Sequence, residues 1–180
     1  MKVIATNLGE RKKIIWKGKS FDTGIFKVPV ASVILETNDV KGDAVVDRRY
    51  HGGKNKAVYA YNSNHYSFWK EQYADLDWDF GMFGENLTIE GLEETNLHLG
   101  DTFQVGEAII AVSGHREPCS KLGMRFNDAQ MVKKFWNTTK CGAYFKILRE
   151  GEVKAGDELI LIEKKENNKS VAELYADVKP

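Results

Sequence analysis

The sequence predicts a mainly β domain: an antiparallel meander with a few peripheral helices and a short C-terminal helix. Three observations predict it. Residues 2–50 hold short β-type runs separated by turn signals, the apolar run Ala57–Tyr61 has the length of a buried strand, and residues 97–112 read as two strands joined through Gly106. A chain of 180 residues is expected to form one domain. Such a domain buries about 70% of the surface its unfolded chain exposes, so folding requires neither metal nor disulfide.

In chain order, the first runs are Val3–Ala5, Lys13–Trp16, Gly24–Phe26 and Val33–Leu35, with turns at Leu8-Gly9 and Lys17–Lys19. Val28–Val30 is expected at an edge or kink, because Pro29 cannot donate to a ladder. The polar segment Lys41–Lys56 follows, and Asn62–Tyr73 has a helical pattern that places Tyr66, Trp69 and Tyr73 on one face, capped by Ser63 or Asn64. Those aromatics read as core, and His65 as structural. Phe83–Gly91 reads as a turn feeding a strand. Phe126–Trp136 reads as a helix capped by Asn127 or Asp128, and Cys141–Arg149 and Asp157–Ile162 read as closing strands. Residues 1–162 are therefore expected as the domain and 163–180 as a polar linker with a short helix. That helix opens on a Ser170…Glu173 capping box and carries Val171, Leu174, Tyr175 and Val178 on one stripe.

Charge and cysteine content narrow the function. Lys plus Arg and Asp plus Glu are both 26, a formal net charge of +0, which argues against a general nucleic-acid or membrane-surface binder. The two cysteines, Cys119 and Cys141, are too few for a secreted disulfide framework or a four-thiolate zinc site, so a reducing cytoplasm is expected. The N-terminus enters a strand pattern with no apolar signal core, and no run of about 18 apolar residues occurs, so a membrane span is not expected.

Two segments carry candidate chemistry. In Ser113–Gly123, one thiol, Cys119, lies among His115, Arg116 and Lys121, with Pro118 stiffening the backbone before it. Nearby cations favour the thiolate, which attacks electrophiles or binds soft metals. A lone cysteine is also commonly a small buried hydrophobe. In Lys41–Lys56, Gly52-Gly53 followed by Lys54-Asn55 reads either as a hairpin turn or as an anion cradle served by Arg48, Arg49, Lys54 and Lys56. The segment is not a P-loop, since the spaced Gly-Lys-Ser/Thr ending is missing. Turn chemistry accounts for Glu85, Asn86, Asp101 and His98, and Cys141 beside Gly142 reads as a packing residue.

The motifs Thr23–Lys27 with Pro29, Gly42-Asp43 with Asp47, His51–Gly53 with Lys56–Val58, Phe83–Thr88, Gly100-Asp101 and Arg116–Cys119 together resemble MOSC domains. These are the molybdenum cofactor sulfurase C-terminal type, and the likeness is strongest to small bacterial members described as hydroxylaminopurine reductases. The resemblance covers nearly the whole chain. It implies a β-barrel of mostly antiparallel strands that binds the molybdopterin form of molybdenum cofactor, with Cys119 placed to ligate molybdenum or carry sulfur. It further implies cofactor binding by Lys27, Arg48, Arg49, Gly52, Gly53, Lys56, Asn86 and Arg116, and proton delivery by His51 or His115. The implied activity is reduction of a small N-hydroxylated base or similar compound; the alternative is a carrier that bears a persulfide or cofactor on Cys119. No pyridoxal-phosphate desulfurase domain is present, and the C-terminal helix resembles only the start of a three-helix tail. Electrons are expected from a separate flavodoxin or ferredoxin-like protein with its reductase, because Cys141 alone cannot hold an Fe–S cluster and no dinucleotide fingerprint is present.

Overall fold

The computed structural model describes residues 1–48 and 52–180. Its elements are β1 (Lys2–Gly9), β2 (Lys12–Trp16), β3 (Lys19–Thr23), β4 (Lys27–Val30), β5 (Ser32–Glu36), β6 (Asp39–Val40), β7 (Val58–Asn62), α1 (His65–Gln72), β8 (Leu87–Glu90), β9 (Thr102–Val105), β10 (Ala108–His115), α2 (Ser120–Arg125), α3 (Met131–Trp136), β11 (Ala143–Arg149), β12 (Gly151–Lys154), β13 (Leu159–Glu163) and α4 (Val171–Asp177).

The mainly β expectation holds, but the sheets are open and mixed, and no closed antiparallel barrel forms among the described residues. The large sheet runs β13-β9-β10-β11-β7-β8-β1-β4, beside a three-stranded sheet β12-β5-β6 and the separate β2–β3 hairpin. The β7 and β8 strands are parallel, with Ala60↔Leu87 and Asn62↔Ile89 in register. A parallel pair needs a crossover. Residues 63–86, including α1, supply it. The sheet curls until β1 meets the entrance to β13, where Val3 N–H donates to Asp157 C=O at 2.8 Å and Leu159 N–H to Met1 C=O at 3.0 Å. That contact is an isolated bridge, Lys2↔Glu158, rather than a ladder.

Every residue of β7 is buried, which explains why Val58–Tyr61 is an unbroken apolar run rather than an alternation. Against it lies an aromatic cluster. Tyr61 stacks on Phe83 at 4.1 Å, Trp69 on Phe135 at 5.9 Å, and Trp69 Nε1 donates to Tyr61 Oη at 2.8 Å. Tyr66 and Trp69 are core as expected. His65 is also structural: its Nε2 lies 2.9 Å from the buried Glu94 carboxylate, which accepts Gly142 N–H at 2.8 Å.

Pro29 sits on the edge strand β4, paired only with β1, where its missing N–H costs no ladder bond. The expected Phe126–Trp136 helix is shorter and is preceded by a second one. Asn127 takes a positive φ of 50° and Asp128 Oδ1 accepts Gln130 N–H at 2.8 Å, so the chain breaks between α2 and α3. The Ser170–Glu173 capping box forms, and Val171 and Tyr175 anchor α4, while Leu174 is only half-buried and Val178 is exposed. No helix among the described residues is long and apolar enough to cross a membrane.

Candidate functional site

Cys119 is positioned by the end of β10. After His115 the chain leaves the sheet, Pro118 is buried, and Cys119 takes an extended conformation as the N-cap residue of α2, its carbonyl accepting Leu122 N–H at 2.9 Å. The half-buried thiol lines a cleft of about 630 Å³, counting the part open to solvent. Pairing of β11 with β7 sets Tyr144 opposite Tyr59, with ring centroids 5.3 Å apart, and both line the same cleft. The remaining walls include Thr23–Ile25, Lys27, residues 43–46, Gly52, Lys56, Gly84, Asn86, Arg116 and Lys121.

Arg116 is the most constrained of the cations. It is 4% exposed, and its guanidinium lies 4.9 Å from the Tyr59 ring centroid and 5.8 Å from that of Phe135. Its Nη1 is buried without a hydrogen-bond partner. A buried donor left without an acceptor costs about 1–3 kcal/mol, and more when charged. The cleft therefore favours an incoming acceptor, and an anion above all. Lys56, 5.7 Å from the Tyr144 ring centroid, and Lys121 add positive charge to the walls.

Lys27 and Asn86 also line the cleft, but both are committed to Asp43. Lys27 Nζ forms a buried ion pair with Asp43 Oδ2, which also accepts Asn86 Nδ2 at 3.0 Å, while Asp43 Oδ1 accepts Gly9 N–H at 2.9 Å. Burial pushes the Lys27 ammonium below the ordinary lysine range, against the pull of Asp43. These groups form a polar floor rather than loose phosphate clamps. Nearby, the added Cβ of any larger residue at Gly24 would lie 2.0 Å from Ala44 C=O, so glycine there lets two cleft walls touch.

The other expected residues fall in several places. Gly52 lines the cleft with a φ of +72°, a conformation other residues resist, whereas Gly53 forms a turn, donating to Asn38 C=O at 2.8 Å and accepting Lys56 N–H at 2.9 Å. Arg48 is exposed, pairs with Asp39 at 2.6 Å and does not line the cleft. Arg49 and His51 lie outside the described residues. Cys141 is fully buried, and burial pushes its thiol well above the ordinary range, in keeping with a packing role.

His115, the last residue of β10, does not line the cleft, whereas Arg116 just after it does. Its ring lies 5.7 Å from Tyr175 of α4, its nitrogens have no hydrogen-bond partner, and Glu117 Oε1 is 3.9 Å away. Burial pushes its imidazole below the ordinary value of 6.5; Glu117 and Asp177 oppose the shift and Lys56 adds to it. The undocked state then binds the proton more readily, so docking of α4 is strongest above pH 6.5 and weakens as the pH falls below it. Hydrogen exchange, corrected for intrinsic rates, is expected to be several-fold faster across Val171–Asp177 at pH 5.5 than at pH 7.5. His115→Phe is expected to abolish that difference; a pH response that persists in this variant would assign it elsewhere.

Sequence reasoning did not single out Tyr59, Tyr144 or the floor role of Asp43. The two tyrosines sit in apolar strand runs, and only the β7–β11 register brings them together. Among the described residues no group of three His, Cys, Asp or Glu side chains can hold a metal ion.

A family model for the MOSC domain matches residues 47–160. The chain belongs to the MOSC domain family. It is 41% identical over 170 residues to the uncharacterized protein YflK of Bacillus subtilis, covering 94% of this chain and 76% of YflK. A protein named "Reductase" from Gibberella moniliformis is 34% identical over 118 residues, which are 63% of this chain and 21% of that protein. The crystal structure of YiiM from Geobacillus stearothermophilus superposes with a TM-score of 0.78 at 33% identity, covering 97% of this chain and 81% of that one. The MOSC match includes Cys119, Arg116, Lys56 and Tyr144, while Lys27, Asp43 and the β2–β3 hairpin precede it.

Proposed function

We propose that the cleft holds molybdenum cofactor and that the loaded protein reduces N-hydroxylated bases or similar small compounds. The observation that carries this reading is the unpaired, buried Nη1 of Arg116 in the cleft that Cys119 lines. A soft thiolate suits molybdenum, and a buried guanidinium with two flanking lysines suits the phosphate of a pterin. The family match and the reductase-named relative support the same class.

The bound group supplies the two-electron redox chemistry. Arg116, Lys56 and Lys121 hold its anionic part, Cys119 gives it a protein ligand, and Tyr59 and Tyr144 wall off water. Overall, R–NHOH takes up two electrons and two protons and yields R–NH2 and water. Lys27, held by Asp43 on the cleft floor, stores a proton within the cleft.

The test is turnover of an N-hydroxylated purine by protein purified from a cofactor-producing host, with dithionite as reductant. Amine formation in step with molybdenum content is the expected result. Cofactor release to a second enzyme without turnover would support the carrier reading instead.

A further inference from the structure

Among the described residues the β2–β3 hairpin pairs with no other strand, and it ends at Thr23 in the cleft wall. Its register sorts side chains onto two faces: Lys12, Ile14 and Trp16 stand opposite Thr23, Phe21 and Lys19, and Lys13 and Ile15 opposite Asp22 and Ser20. Ile14, Trp16 and Phe21 are half-buried. On the other face Lys13 and Ser20 are exposed, and Ile15 is 81% exposed. Residues 11–23 carry Arg11, Lys12, Lys13, Lys17 and Lys19 against Asp22 alone, a net +4 on a chain with formal net charge +0. Arg11 is paired with Asp22 at 2.7 Å, which leaves the lysines as the surplus.

The root of the hairpin is fixed to the cleft. Thr23 and Gly24 line it, Gly9 N–H is held by Asp43, and a Cβ on Gly9 would lie 2.2 Å from Gly24 C=O. A cationic arm with an exposed isoleucine therefore stands beside the mouth leading to Cys119. The rest of the chain carries the compensating negative charge, which would repel a long polyanion. A small apolar contact ringed by lysines instead matches a transient encounter with an acidic protein face, where charge sets the association rate and the orientation.

We infer that the β2–β3 hairpin is the docking arm for an acidic, flavodoxin-type electron donor. The inference rests on the reductase reading for its purpose, since each N–O bond reduced takes two electrons from the donor, but the contact is measurable without turnover. The probe is a reduced acidic flavodoxin titrated against holoprotein at low and at moderate ionic strength. Wild type is expected to bind, with affinity falling several-fold between about 20 and 200 mM salt as screening shortens the reach of the lysines. Reversing Lys12, Lys13, Lys17 and Lys19 to Glu is expected to weaken binding at low salt at least tenfold, and Ile15→Asp severalfold. Both variants are expected to keep wild-type circular dichroism and, if the reductase reading holds, the wild-type rate with dithionite. Flavodoxin affinity within twofold of wild type in the folded reversal variant would overturn the inference. So would a wild-type protein that ignores flavodoxin but binds a duplex oligonucleotide or anionic vesicles through the same lysines. Salt-sensitive flavodoxin binding lost on reversal, with no dithionite turnover in wild type, would keep the docking arm and reject the reductase reading.

Discussion

Cys119→Ser is expected to lower turnover of an N-hydroxylated purine by at least about a hundredfold while leaving the fold intact, since a hydroxyl is a poor ligand for a soft metal and scarcely ionises at neutral pH. Stability should not fall. Cys119 is the N-cap residue of α2 and makes no side-chain capping bond, whereas serine is among the preferred residues at such a position. Lost activity with an unchanged or slightly raised melting temperature thus separates a ligand role from a packing role. Cys141→Ser is expected to do the reverse, keeping activity and losing about 1–2 kcal/mol of stability as a more polar hydroxyl replaces a fully buried sulfur. Activity of Cys119→Ser within a few-fold of wild type would remove Cys119 from the chemistry.

Glu85→Ala is expected to be the most destabilising single change near the site. The fully buried carboxylate accepts the Tyr66 hydroxyl, Gly81 N–H at 3.0 Å, Phe83 N–H at 3.0 Å and Thr88 Oγ1 at 2.9 Å. Burial pushes its carboxyl above the ordinary range, and these donors pull it back. Removing it strands several buried donors at about 1–3 kcal/mol each, so a loss of about 3–5 kcal/mol is expected. For a domain of this size that lowers the melting temperature by about 10 °C or more. Glu85→Gln keeps the shape and part of the accepting capacity and should lose less. Calorimetry on the two variants checks this, and a near-neutral Glu85→Ala would show that the turn before β8 holds without its anchor.

The parts of the fold set by local pattern were legible in the sequence. Ala57–Tyr61 as a buried strand, the edge position of Pro29 and the Ser170–Glu173 capping box follow from periodicity, a missing donor and cap spacing. What depends on strand direction and distant pairing was not. Nothing within Val58–Asn62 or Leu87–Glu90 records that they run parallel; that follows from the crossover between them. The α2 helix was obscured by Pro118 just before it and Gly123 within it. The site divides in the same way. Cys119, Arg116, Lys56 and Gly52 were legible because charge, thiol and glycine cluster locally. Commitment of Lys27 and Asn86 to Asp43 is a long-range contact, as is the meeting of Tyr59 with Tyr144. The orientation of His115 was not legible either, since the sequence pattern ends the strand before His115 whereas β10 runs through it.

On this account the Cys119 cleft binds molybdenum cofactor through the partnerless Nη1 of Arg116 and the thiol. Molybdenum and pterin content per chain, measured on protein from a host that makes the cofactor, tests it most directly. Wild type is expected to carry both in near-equal amounts approaching one per chain, and folded Arg116→Gln to carry several-fold less of both. Folded wild-type protein holding neither above background, or Arg116→Gln retaining both at the wild-type level, would contradict it.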